Sequence, residues 1–140
     1  MENCFYECKI RFDKLQENGS LKRVTESYVV LAVSFTEAES IIAAYSLNEG
    51  FEDVEIKSIR PLQVEGCIEG DGNMYYLTSI KFIVINEKTG EEKSASTKWL
   101  VCSPDLDSVP AAVRSYYKKS TQDYVIASVR KSPILKIIKR

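Results

Sequence analysis

Asp53-Val-Glu-Ile-Lys-Ser-Ile-Arg60 returns near the other end of the chain as Asp123-Tyr-Val-Ile-Ala-Ser-Val-Arg130. The Asp, Ile, Ser and Arg are identical across a spacing of 70 residues, and Val129 stands for Ile59. At the same spacing Phe5-Tyr6 falls on Tyr75-Tyr76, and Ile10-Arg11-Phe12 on Ile80-Lys81-Phe82. With one residue inserted, Gly19 falls on Gly90, and Tyr28-Val29-Val30 on Trp99-Leu100-Val101. The helical set Ala38, Ile41, Ile42, Tyr45 then falls on Val109, Ala112, Val113, Tyr116. Matches in one order at a nearly constant spacing read as two copies of one unit.

Each copy reads as strand, turn, strand, helix, strand. Phe5 to Phe12 alternates, with Tyr6, Cys8, Ile10 and Phe12 on one face and Phe5, Glu7, Lys9 and Arg11 on the other. Glu17-Asn18-Gly19 signals a hairpin turn. Lys22 to Leu31 is rich in β-branched and aromatic residues. Ser34 and Thr36 offer N-caps, with Glu37 and Glu39 three residues on. A helix to about Leu47 ends at Asn48-Glu49-Gly50, and a third strand runs from about Val54 to Arg60.

The second copy gives strands at Met74 to Ile85, Ser94 to Cys102 and Tyr124 to Arg130, with a turn at Lys88-Thr89-Gly90. Pro110 sits in the first turn of its helix, where proline is tolerated. Pro133 to Ile138 adds a short edge strand. Residues 65–73 hold three of the six glycines and read as a flexible linker. The expected protein is thus one α+β domain over 1–140: repeat one 3–64, linker 65–73 and repeat two 74–138. Antiparallel sheet, in one piece or two, carries two helices on one side, with the copies related by a pseudo-two-fold.

Composition agrees with a folded domain. The chain has 140 residues, 44% hydrophobic and 28% charged, enough to bury a core without metal or disulfide. It has no histidine. Ser-His-Asp and Cys-His catalysis and histidine metal ligation are therefore excluded. Its apolar runs are short, Tyr28 to Val33 and Ile80 to Ile85, well under the ~20 residues of a membrane span. Met1-Glu-Asn-Cys-Phe-Tyr-Glu7 lacks the basic and apolar regions of a signal peptide. The cytoplasm is the expected location.

Cys4, Cys8, Cys67 and Cys102 contain no C-x-x-C pair, and Cys4 and Cys8 lie too far apart along a strand to share one ion. They read as reduced thiols, and neither a metal nor another cofactor is expected. No G-x-S-x-G, P-loop or dinucleotide glycine motif is present. The glycines at 66, 70 and 72 lead into a strand and place no amides at a helix N-terminus. Glu37 and Glu39 serve a helix start. With no imidazole base beside Cys102, no enzyme is expected.

Phe5-Tyr-Glu-Cys-Lys-Ile-Arg-Phe12, Val24-Thr-Glu-Ser-Tyr-Val-Val30, Ser34-Phe-Thr-Glu-Ala-Glu39 and Asp123-Tyr-Val-Ile-Ala-Ser-Val129 resemble a family of unknown function, "forty-four ninety-four". That family occurs in Bacteroidetes and their phages. The resemblance spans nearly the whole chain and implies a bacterial or phage cytoplasmic protein. It carries over no catalytic residues, because the family has none assigned.

Charge gives the remaining lead. Residues 1–70 carry seven Lys/Arg against thirteen Asp/Glu, and residues 71–140 twelve against seven. The excess gathers at Arg114, Lys118, Lys119, Arg130, Lys131, Lys136, Lys139 and Arg140. If the helices cover Tyr6, Ile10, Phe12 and Tyr76, Ile80, Phe82, the other sheet face presents Phe5, Lys9 and Arg11 in one copy. In the other copy it presents Tyr75 and Lys81, with Leu77 and Ser79 between them, and the paired Arg60 and Arg130 extend it. The favoured reading is a non-enzymatic protein-interaction or assembly module, through a protein partner or self-association. The alternative is single-stranded nucleic acid, with bases stacked on rings and phosphates tracked by cations. The two differ in a visible way: a nucleic-acid binder leaves its sheet cations unpaired, and an interaction module pairs them with acidic residues. Arg60 and Arg130 also have a structural reading, as salt-bridge partners of Asp53 and Asp123 in each copy.

Overall fold

Alternation builds the first sheet. The computed structural model describes residues 3–138. Within it the first hairpin is β1 (Cys4–Leu15) and β2 (Leu21–Ala32), in register from Cys4 opposite Ala32 to Leu15 opposite Leu21. Gly19, at φ 84°, closes the turn with its N–H donating to the Gln16 carbonyl at 3.0 Å. Helix α1 (Phe35–Asn48) follows, then β3 (Glu52–Pro61), antiparallel to β1. Ser34 is the N-cap of α1 and accepts from the Glu37 N–H at 3.1 Å, as its position predicts. Ala38, Ile42 and Ser46, four residues apart, form the buried stripe of α1. Against it lie Tyr6, Cys8, Ile10 and Phe12 from β1 and Tyr28, Val30 and Ala32 from β2. Phe51 stacks on Phe12 with ring centroids 3.9 Å apart.

The second sheet is made the same way. Its hairpin is β5 (Met74–Ile85) and β6 (Glu92–Ser103), in register from Met74 opposite Ser103 to Ile85 opposite Glu92. Helix α2 (Val109–Tyr116) has proline in its first turn, and β7 (Tyr124–Lys131) pairs antiparallel with β5. Val109 and Val113 of α2 cover Tyr76 and Ile80 of β5 and Val101 of β6. Asp105 rather than the cap residue Ser108 steadies the entry to α2, its Oδ1 accepting the Ser108 N–H at 2.8 Å. Ser108, through its hydroxyl first and its backbone N–H second, holds the Asp105 carboxyl below its usual range.

Two short strands complete the sheets by parallel pairing. Near the chain's end, β8 (Ile134–Ile138) runs beside β2, as the edge strand read from the sequence. Earlier, β4 (Gly66–Ile68) runs beside β6. The orders are β3-β1-β2-β8 and β4-β6-β5-β7. The chain thus forms two units, one running to Leu62 and resuming at Pro133, the other covering Gln63–Ser132.

The segment read as a flexible linker is instead structured. Ile68 is buried, and the Glu65 N–H donates to the Lys98 carbonyl at 2.7 Å. Its glycines serve close approach. A Cβ at Gly70 would lie 2.7 Å from the Cys102 carbonyl oxygen, and one at Gly72, whose φ is 111°, 2.4 Å from the Pro104 nitrogen. Backbone packed this tightly leaves room only for hydrogen.

Candidate functional site

In the first unit the face of β1 away from α1 carries Phe5, Glu7, Lys9 and Arg11. Glu7 stands in register with Arg60 of β3. Arg60 donates to Glu7 Oε1 from Nη2 at 2.9 Å and from Nε at 3.2 Å. The carboxylate is nearly buried, its side chain 11% exposed, while the arginine reaches solvent. Arg60 is therefore committed, and to Glu7 rather than to Asp53. Asp53 pairs with Arg23, which also reaches Asp13 and Glu55. Cross-strand register decides these partners, not nearness in sequence.

Lys9 and Arg11 are exposed and form no ion pair among the described residues. Phe5 is half-buried. The face is not open along its whole length, however. Ser27 and Val29 of β2 and Ile134 and Ile137 of β8 are buried on it. The sequence reading took that face from β1 and β5 alone, and the apolar residues of β2 and β8 give it a buried stripe of its own.

In the second unit the corresponding face of β5 carries Tyr75, Leu77, Ser79 and Lys81. Leu77 stands in register with Arg130 of β7 and Leu100 of β6, and Ser79 with Ser128 and Lys98. Leu77, Ser79, Lys98, Ser128 and Arg130 line a cavity of about 380 Å³. Arg130, Lys98 and Lys81 are exposed, and none forms an ion pair among the described residues. Tyr75 is half-buried opposite Cys102, and its carbonyl accepts from the Ser132 N–H at 3.0 Å and Oγ at 2.9 Å.

The structure thus brings Phe5, Lys9, Arg11 and Arg60 to one face of the first sheet, and Tyr75, Lys81 and Arg130 to one face of the second. Sequence reasoning passed over Lys98 and Ser128. The signal was present in the hairpin: counting back from the Lys88-Thr-Gly90 turn puts Lys98 opposite Ser79. Of the basic tail, Lys139 and Arg140 lie outside the described residues. Lys136 sits with its Nζ 5.4 Å from the centre of the Tyr45 ring.

The other polar groups serve the fold. Tyr28 donates to Glu26 Oε1 at 2.8 Å, and Lys14 to Glu26 Oε2 at 3.1 Å. Burial, then the Glu26 carboxylate, pushes the Tyr28 phenol well above its usual range. Burial pushes the Cys8 thiol up to about 11, which keeps it protonated and poorly nucleophilic at neutral pH. Cys102 spends its S–H on the Gly72 carbonyl at 3.3 Å. All four cysteines are free thiols, and among the described residues no three His, Cys, Asp or Glu side chains are grouped to hold a metal. No helix of the described residues is long and apolar enough to cross a membrane.

No curated protein and no solved structure matches the chain. A family model does: the one described as Domain of unknown function (DUF4494) matches residues 4–140, nearly the full length, and the chain belongs to that family.

Proposed function

We propose that the protein works by binding rather than catalysis, and that its ligand is single-stranded nucleic acid held on the sheet faces turned away from the helices. One observation carries this reading. Lys9, Arg11, Lys81, Lys98 and Arg130 carry no ion pair among the described residues, while Glu7, Asp13, Glu26, Asp53 and Glu55 are engaged by other cations. Unpaired cations in rows on a sheet suit a phosphate backbone. Phe5 and Tyr75 are half-buried at the ends of those rows.

An ancestral duplication agrees with this division of labour. Both β1–β3 and β5–β7 pairings slip at the same place, between Lys9 and Ile10 and between Ser79 and Ile80. Each sheet also takes its parallel strand from the chain that follows the other copy's third strand. On this reading the copies began alike and differ now in which arginine is neutralised.

The test is fluorescence anisotropy of a labelled mixed-sequence DNA single strand at low and at physiological salt. Three phosphates neutralised by Lys81, Lys98 and Arg130 give a slope of about −2 in log affinity against log salt. Micromolar binding with that slope, lost on Lys81→Ala with Arg130→Ala, supports the reading. No binding at low salt sinks it.

A protein-interaction role is the second reading. Val54 and Ile56, exposed on edge strand β3, join Ala43, Leu47 and Phe51 around an apolar cavity of about 280 Å³. Solution mass at rising concentration tests self-association.

A further inference from the structure

The two sheets differ in what faces Arg60 and Arg130 across the ladder, and the difference creates a site. In the first unit Arg60 faces Glu7 and is held by it at 2.9 Å. In the second, Arg130 faces Leu77, which offers no acceptor. The guanidinium is left at the edge of the cavity that Leu77, Ser79, Lys98 and Ser128 share with it. We infer that this cavity is a phosphate pocket that takes one nucleotide phosphate. The inference rests on the proposed strand binding for its source of phosphate, and on the pocket's own chemistry for its specificity.

That chemistry is one-sided. Four of the five lining side chains donate hydrogen bonds, and none is a carboxylate. A metal cation finds no ligand set here, whereas a tetrahedral oxyanion needs donors from several directions. Arg130 supplies a planar fork suited to two phosphate oxygens, Lys98 a point charge, and Ser79 and Ser128 hydroxyls. Sheet geometry puts them around one spot. Lys98, Ser79 and Ser128 lie in one cross-strand row, so Lys98 and Ser128 are about two strand spacings, roughly 10 Å, apart. Arg130 stands in the adjacent row beside Leu77. Long cationic side chains from the two flanking strands can meet above Ser79. The volume, about 380 Å³, lies at the small end of the range for ligand pockets, roughly 300–1,000 Å³. It suits a phosphate with its sugar, the sugar resting on Leu77.

The experiment titrates the ¹⁵N-labelled full chain with inorganic phosphate, thymidine 5′-monophosphate and thymidine at matched ionic strength, reading amide shifts. Saturable shifts at Leu77, Ser79, Lys98, Ser128 and Arg130, absent with thymidine, support the pocket. A nucleotide affinity above that of inorganic phosphate identifies the nucleotide as the source; equal affinities identify free phosphate and overturn the nucleotide assignment. Arg130→Gln and Lys98→Gln, both at exposed positions, each weaken binding by about tenfold, the scale of one charge-assisted contact. Leu77→Glu, which copies Glu7 of the first unit, captures Arg130 and abolishes it. Shifts that stay linear and spread over surface lysines, or an Arg130→Gln variant that binds as the parent does, overturn the inference. A strand bound in anisotropy without saturable nucleotide binding overturns the pocket alone. Saturable nucleotide binding without strand binding upholds the pocket and overturns the strand reading.

Discussion

Replacing Thr78 by valine stabilises the protein. Thr78 sits in the middle of β5 and is fully buried, on the face with Tyr76 and Ile80. It stands in register with Trp99 and Val129, which pack on the same apolar cluster. Its Oγ1 is buried with no hydrogen-bond partner among the described residues. A hydroxyl left so costs about 1–3 kcal/mol in lost hydration. Valine removes that cost and buries a methyl group in its place, worth about 0.8 kcal/mol. Both residues are β-branched, so rotamer entropy barely changes. A methyl is larger than a hydroxyl, and crowding takes back about 1 kcal/mol. The net is about 1–3 kcal/mol in favour of Thr78→Val. With an unfolding entropy of about 2.1 cal/mol/K per residue, 140 residues convert this to a rise in Tm of about 3–10 °C. Thr78→Ser is the control: it keeps the hydroxyl and loses the methyl, and costs about 1 kcal/mol. Urea titration and calorimetry read both. A valine variant no more stable than the parent refutes the reasoning, because the hydroxyl is then satisfied in solution.

Two further outcomes are expected. Arg60→Ala strands the nearly buried Glu7 carboxylate and loses about 1–3 kcal/mol in urea; adding Glu7→Leu recovers most of it, and a double variant no better than Arg60→Ala refutes the account. The Tyr28 phenol is raised by burial and then by Glu26. Its stabilising effect is therefore complete below about pH 10, the unfolded value, and lost above it as only the unfolded phenol ionises. Urea midpoints between about pH 9 and pH 11 should fall less steeply in Tyr28→Phe than in the parent, and equal slopes refute the assignment.

What was legible in the chain followed from local periodicity. The alternation of Tyr6 to Phe12, the Asn18-Gly19 turn, the Ser34 cap and the Ala38–Ile42 spacing each name their element without help from distant residues, and each stands where it was read. Gly66–Ile68 was illegible because three residues show no period, and because the partner that makes them a strand, Trp99 to Val101, lies over thirty residues away. Glycine misled there for the same reason: its freedom and its smallness look identical in sequence, and only the Pro104 backbone shows which is used at Gly72. The partner of Arg60 was misread because a salt bridge was sought along the strand, at Asp53, when pairing runs across it.

That last point bears on function. An arginine that recurs in a similar stretch 70 residues on looks like one feature kept twice. In a sheet its role is set by the residue across the ladder, here Glu7 for Arg60 and Leu77 for Arg130. A carboxylate opposite turns the guanidinium into a brace between two strands. A leucine opposite offers the guanidinium no acceptor, and Arg130 forms no ion pair among the described residues, beside a lysine and two serines. The exchange of one side chain therefore converts a structural cation into an available one while the backbone register stays the same.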